Sequence, residues 1–374
     1  MKAVVGGRIL TITGGQIDDG VILVDKGKFA SVGRSVQVPD GAEIIDAKGK
    51  YVVAGMVDCH THIGVGIPSE TTSPVTPQVR GVDALDLSDP GFLDALEGGV
   101  TTIIATPGSA NIISGTSLVL KTAGPSLDKR TLRDPVGMKM AWRKGINRPS
   151  QGPPYPVTLM GIAGVLRDAL VEAKNYMTLR EKGEVAVDIG KEMLVKVLRR
   201  ELRARIHSFT PVDLLAIMRI QDEFGFDFAV EHGFEAYLVA QELAKRNIPV
   251  IYGPGTGARR HKIFPDRGPH GPAILQKAGI KVSLQSDHPD QNVKELRIYG
   301  ALLMRYSDLT INDVLRMLTI NGADIAGVAE RVGSIEPGKD ADFSIFSGHP
   351  LMVQSRVEQV FIDGEEVYPR AATY

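Results

Sequence analysis

Between residues 54 and 327 short apolar runs alternate with segments of helical period, and this alternation limits the fold more than any other feature. "DPGFLDALEGG" reads as a helix, with Asp89 placed to cap it, Pro90 in its first turn and Gly98 at its end; the strand pattern "VTTIIATPG" follows. "RARIHSF" reads as a strand leading into "TPVDLLAIMRIQDEFG", where Thr210 and Asp213 have capping-box spacing and Gly225 supplies the stop. "DFAVEHG", a helix "FEAYLVAQELAKRN", "IPVIYGPG", a helix "GPAILQKAG" and "IKVSLQSD" continue the series, and "TINDVLRMLTINGADIAG" closes it in helix. Repeated βα units over this length predict a (β/α)8 TIM-like barrel, which takes ~250 residues. An open doubly wound sheet has the same periodicity and stays open as the competing fold.

The two ends of the chain have another texture. "ILTIT", "GVILVDKGKFASVG" and "AEIIDAKGKYVV" near the start, and "DADFSIFSG" and "VEQVFIDGEEVY" near the end, alternate with period two between turn residues. Neither piece makes a stable sheet alone, so residues 1–53 and 328–374 are expected to form one composite β-sandwich domain beside a barrel of residues 54–327. The segment 142–205, with "RPSQGPPYPV" and the basic "KEMLVKVLRRELRAR", is too long for a plain βα connection. It is expected either as a lid beside the site or as helices with a solvated charged face.

Composition removes several function classes. A formal charge of −1 over 374 residues gives no reason to expect nucleic acid or an anionic membrane as partner. No stretch approaches the ~20 apolar residues of a membrane span, and the start of the chain does not read as a secretion signal. The single cysteine, Cys59, makes no internal disulfide. The expectation is a soluble, cytoplasmic protein that acts on a small-molecule substrate, with a homo-oligomer left open.

The stretch "GMVDCHTHIGV" ends an apolar run with Asp58, His60 and His62 at alternate positions. On a strand such residues share one face, with Cys59 and Thr61 on the other. That face is either wet or binds something with imidazoles. Other predicted strands end in His207, His232 and Asp287, and barrel strands point their C-terminal ends to one mouth. Four imidazoles and a carboxylate gathered there suit zinc or a similar divalent ion. Each residue alone has a plainer role: His207 or His232 as a hydrogen-bonded core histidine, Asp287 as a turn residue before His288 and Pro289. Asp58 is cast as an orienter of the ligands and Cys59 as core.

"GMVDCHTH" after a β-rich start, His207, His232, "SLQSDHP" and the tail "VGSIEPGKDADFSIFSGHP" together resemble the metal-dependent amidohydrolase superfamily, nearly end to end, and most closely its imidazolonepropionase-related branch. The resemblance implies a metal-centred barrel that hydrolyses carbon–nitrogen bonds in cyclic or other non-standard amides, with one or two zinc ions. His60, His62, His207, His232 and Asp287 match the metal ligands, and Asp287 also matches the proton-transferring group. Lys139 in "VGMKMAW" matches the lysine that, once carboxylated, bridges two ions, with Lys121 in "LVLKTAG" as the second candidate. Where relatives carry a further histidine and an arginine after the fifth-strand ligand, this chain has Phe209 and Thr210, so their substrate preference does not transfer. The basic loop "GARRHKIFPDRGPHGP" offers Arg259, Arg260 and His270 to bind an acidic substrate. Two other readings stand beside the hydrolase: a scaffold without catalysis, and a metal-dependent lyase or isomerase on the same barrel.

Overall fold

The structure, a computed structural model, describes residues 1–67, 69–142, 156–255 and 265–369. The alternating segments near the start form strands β1 (Lys2–Leu10), β2 (Gln16–Asp25), β3 (Lys28–Gly33), β4 (Glu43–Asp46) and β5 (Tyr51–Ala54). β1 runs antiparallel to β2 and parallel to both β4 and β5, and β2 continues to β3.

Eight strands then form the barrel sheet in chain order. They are β6 (Met56–Thr61), β7 (Val100–Ala105), β8 (Ile113–Lys121), β9 (Thr131–Ala141), β10 (Ala204–Ser208), β11 (Phe228–His232), β12 (Val250–Tyr252) and β13 (Val282–Leu284). Two backbone hydrogen bonds close the ring just beyond the last strand: Asp287 N–H to the His60 carbonyl and His62 N–H to the His288 carbonyl, both 3.0 Å. The ring departs from a regular (β/α)8 barrel at β8, which is antiparallel to β7 and β9. Antiparallel neighbours need no crossover helix, and only the short helix Leu127–Arg130 stands between β8 and β9.

Side chains from six barrel strands, Val57, Cys59, Ile104, Val119, Val136, Ala229 and Ile251, meet in one buried cluster with Ala323, Ile325, Val328 and Val332. Such a meeting is possible only inside the ring, so this is the barrel's filled interior. Outside lie the helices. Pro211–Phe224 starts with the expected capping box of Thr210 and Asp213 and stops at Gly225, whose φ of +76° is left-handed backbone that suits glycine. In the segment 142–205 the described helices Leu159–Glu181 and Ile189–Leu198 pack on each other, and the first is tied to Pro211–Phe224 by Arg167 and Glu223 at 2.6 Å. They add an outer layer to the barrel wall.

The end of the chain returns to the first sheet. β14 (Phe343–Phe346) pairs with β5, β15 (Val357–Ile362) with β14, and β16 (Glu365–Tyr368) with β15. That second sheet therefore takes strands from both ends, with Phe343 and Phe361 stacked 4.5 Å apart. Among the described residues no helix is long and apolar enough to cross a membrane.

Candidate metal centre

Polar side chains collect where β6, β10, β11 and β13 end. His60 Nε2 lies 3.1 Å and His62 Nε2 3.3 Å from Asp287 Oδ1. His60, His232 and Asp287 each offer a ligand atom, all within 4.8 Å of one another. The His207 ring lies 4.3 Å from that of His232 and 4.6 Å from that of Phe209, which itself lies 5.4 Å from His232. All five side chains are buried. His232 and Asp287 both sit in left-handed backbone, with φ of +70° and +57°. Such conformations cost about 1–3 kcal/mol each and persist where the surroundings fix them.

The imidazoles are oriented from behind. His62 Nδ1 donates to the Thr106 carbonyl at 2.8 Å, and His232 Nδ1 donates to the Gly253 carbonyl at 2.9 Å. His60 Nδ1 lies 3.0 Å from Glu231 Oε2. An imidazole that gives its Nδ1 proton away keeps a lone pair on Nε2. The buried Nε2 of His232 and both ring nitrogens of His207 have no hydrogen-bond partner. Burial drives His207 well below its ordinary pKa and His232 down to about 3, so both rings are neutral. Burial works against ionising Asp287, but His232, His60 and His62 outweigh it and hold the carboxyl far below its usual range. Orphaned, neutral imidazole nitrogens around an ionised carboxylate are a donor set that fits a divalent cation.

A profile of the family described as "Amidohydrolase family" matches residues 240–367. The crystal structure of an amidohydrolase from Thermotoga maritima superposes with a TM-score of 0.92 at 38% identity, covering 98% of this chain and 100% of that one. The chain belongs to the metal-dependent amidohydrolase superfamily. Amidohydrolase tasK of Hapsidospora irregularis is 30% identical over 92% of this chain, which spans only 39% of that relative's length. The imidazolonepropionase of Thermoplasma acidophilum is 26% identical over 87% of this chain and 82% of its own.

In this amidohydrolase the two lysines part ways. Lys139 on β9 pairs with Glu231 in the buried barrel. Lys121 on β8 lies instead among Asp340, Asp342 and Asp363, 2.6–2.9 Å from each, where the barrel meets the second sheet. That clasp consumes its charge and corrects its second-choice place at the metal. Asp58 orients the site differently from the expectation. A register shift in β6 between Asp58 and Thr61 breaks strict alternation, and Asp58 accepts from the backbone of His60 and from the backbone and hydroxyl of Ser286. It braces the residue before Asp287 rather than an imidazole, and burial pushes it up to about 6. Cys59 is buried, as expected of a core residue.

Arg259 and Arg260 lie outside the described residues. His270 rests against Tyr237 at 4.8 Å, before the helix Gly271–Lys277, and outside the histidine–aspartate set. From the same basic loop Arg267 comes nearer: its guanidinium covers Phe234 at 4.0 Å, and Phe234 lies 5.9 Å from His232. Sequence reasoning passed over Glu231, Arg205 and Thr106. An acidic residue inside the apolar strand "FAVEH" was the available signal for the first of these.

Proposed function

We infer that this chain is a metal-dependent hydrolase of carbon–nitrogen bonds in cyclic or other non-standard amides. The observation that carries this reading is the convergence of His60, His232 and Asp287, from separate strands, on one buried spot. His62 and His207 complete the ligand set, and imidazole with carboxylate suits zinc. In carboxylated form Lys139 would serve a second ion; its unmodified amine, paired with Glu231, belongs to the one-ion state. When bound, such a cation lowers the pKa of water from 15.7 to roughly 7 and polarises a carbonyl.

The protein's own groups supply the proton traffic. Asp287 is ionised and sits between His60 and His62, so it accepts a proton from the attacking water and returns it to the leaving nitrogen. His232, neutral and tied to Gly253, lies beside that carboxylate, with Nδ1 3.9 Å from Oδ2. Arg259, Arg260 and His270 are assigned to an acidic group on a small-molecule substrate. The strands of 1–53 and 328–374 are read as a β-sandwich domain that supports the barrel.

The test is a screen of cyclic amides, N-acyl amino acids and dipeptides against zinc-loaded protein, followed by Asp287→Asn. Turnover is expected to fall by about 10²–10⁴-fold while part of the zinc is retained. A variant that turns over its substrate at the native rate would remove Asp287 from the chemistry.

A further inference from the structure

Beneath the histidines the barrel encloses three further charged side chains. Glu231, Lys139 and Arg205 are exposed by no more than 2%. Glu231 Oε1 accepts from Arg205 Nε at 2.8 Å and lies 2.8 Å from its Nη2. Glu231 Oε2 accepts from Lys139 Nζ and lies 3.0 Å from His60 Nδ1. Arg205 also donates to the Cys59 carbonyl, in the strand that carries His60. Its stem crosses the barrel because position 137 has no side chain; a Cβ on Gly137 would stand 2.5 Å from Arg205 Cδ.

Stability alone gives no reason for this group. A buried ion cluster can be replaced by apolar residues of similar volume at little or no cost. Its geometry does have a direction. The His60 ring is spanned between two carboxylates, Glu231 at Nδ1 and Asp287 at Nε2, 3.0 and 3.1 Å away. Turning the ring over would set C–H groups against both. His62 and His232 are backed by neutral carbonyls of Thr106 and Gly253, so of these three rings His60 alone faces an anion across its Nδ1, at 3.0 Å but out of line for a full hydrogen bond. An anionic acceptor makes the stronger hydrogen bond and the more basic ligand. Lys139 and Arg205 donate to that carboxylate from its other sides.

We propose that Glu231 is a positioning residue of the cation site, which fixes His60 as the Nδ1–H tautomer and aims its Nε2 lone pair at the pocket shared with Asp287. The inference rests on the metal reading above, and the experiment separates the two. In the metal-free, full-length wild type with ¹⁵N-labelled histidine, the ring signal that disappears in His60→Gln should report a proton on Nδ1. Zinc affinity, measured by competition with a chromophoric chelator, should fall about 10–100-fold in Glu231→Gln, and the visible spectrum of cobalt(II) bound there should change. A wild type that binds no zinc ends the metal reading itself. A wild type that binds zinc overturns only the role of Glu231 if the folded variant matches its affinity and cobalt spectrum. A His60 Nδ1 found without a proton overturns it too, and that wild-type measurement decides the matter even where Glu231→Gln does not fold.

Discussion

Lys121 and Lys139 are both fully buried barrel lysines facing carboxylates, yet they stand in opposite electrostatic settings. Around Lys121 burial opposes the charge, but Asp342, Asp363 and Asp340 outweigh it and raise its pKa. Around Lys139 burial prevails over Glu231 and Asp287 and lowers it. Three acids clamp one ammonium into a fixed joint between the barrel and the second sheet. One acid, shared with Arg205 and His60, leaves the other amine tied to the ligands. The number of carboxylates in contact with a buried lysine thus separates a structural joint from a group beside the candidate site.

Substitutions sharpen that contrast. The largest effect is expected for Lys121→Met, which leaves Asp342 buried without its partner; removing one member of such a group costs about 3–5 kcal/mol. Urea unfolding at pH 7 should show this loss, while zinc bound per folded chain stays at the native level. Unchanged stability would break the idea of a joint. Next comes removal of the ion. At a free zinc concentration a hundredfold above Kd, the loaded protein gains about 2.7 kcal/mol over the chelated one. Lys121→Met should keep that difference between chelated and loaded protein, and Lys139→Met should shrink it.

A pH effect of comparable size belongs to the joint. Burial raises Asp342 to about 6, above its ordinary value of 3.8. The unfolded chain therefore loses this proton at lower pH than the folded one. The fold is penalised progressively as pH climbs from about 4 to about 6, by on the order of 2–3 kcal/mol at ~1.4 kcal/mol per unit. Subtracting the stability curve of Asp342→Asn from that of the wild type should expose this decline, and a flat difference would count against it. The smallest expected change is the stability cost of Lys139→Met, on the order of 1–2 kcal/mol, because Glu231 keeps Arg205 as a partner. A cost equal to that of Lys121→Met would erase the distinction.

The sequence made the barrel legible through its local signals. The Thr210–Asp213 capping box and the Gly225 stop are statements about neighbouring residues, and both appear in the structure. The histidines and Asp287 were legible because they end apolar strands, where polar groups need a reason. β8 was not legible as an antiparallel strand, since a strand buried at all nine positions has no periodicity that reveals its direction. Lys121 and Lys139 looked alike for a related reason: their partners Asp363 and Glu231 are 242 and 92 residues away. Asp58 failed the alternation argument because a bulge, invisible in residue types, shifts the register of β6.

The seam of the barrel carries a consequence for biogenesis. The backbone contacts that join Asp287 to His60 and His288 to His62 unite the first and last parts of the ring. A chain interrupted before residue 287 has no way to bring its early histidines to a carboxylate partner from the final turn. On the proposed metal reading, capture of the ion would then mark the moment at which the whole ring has been stitched together, and its retention would gauge complete assembly.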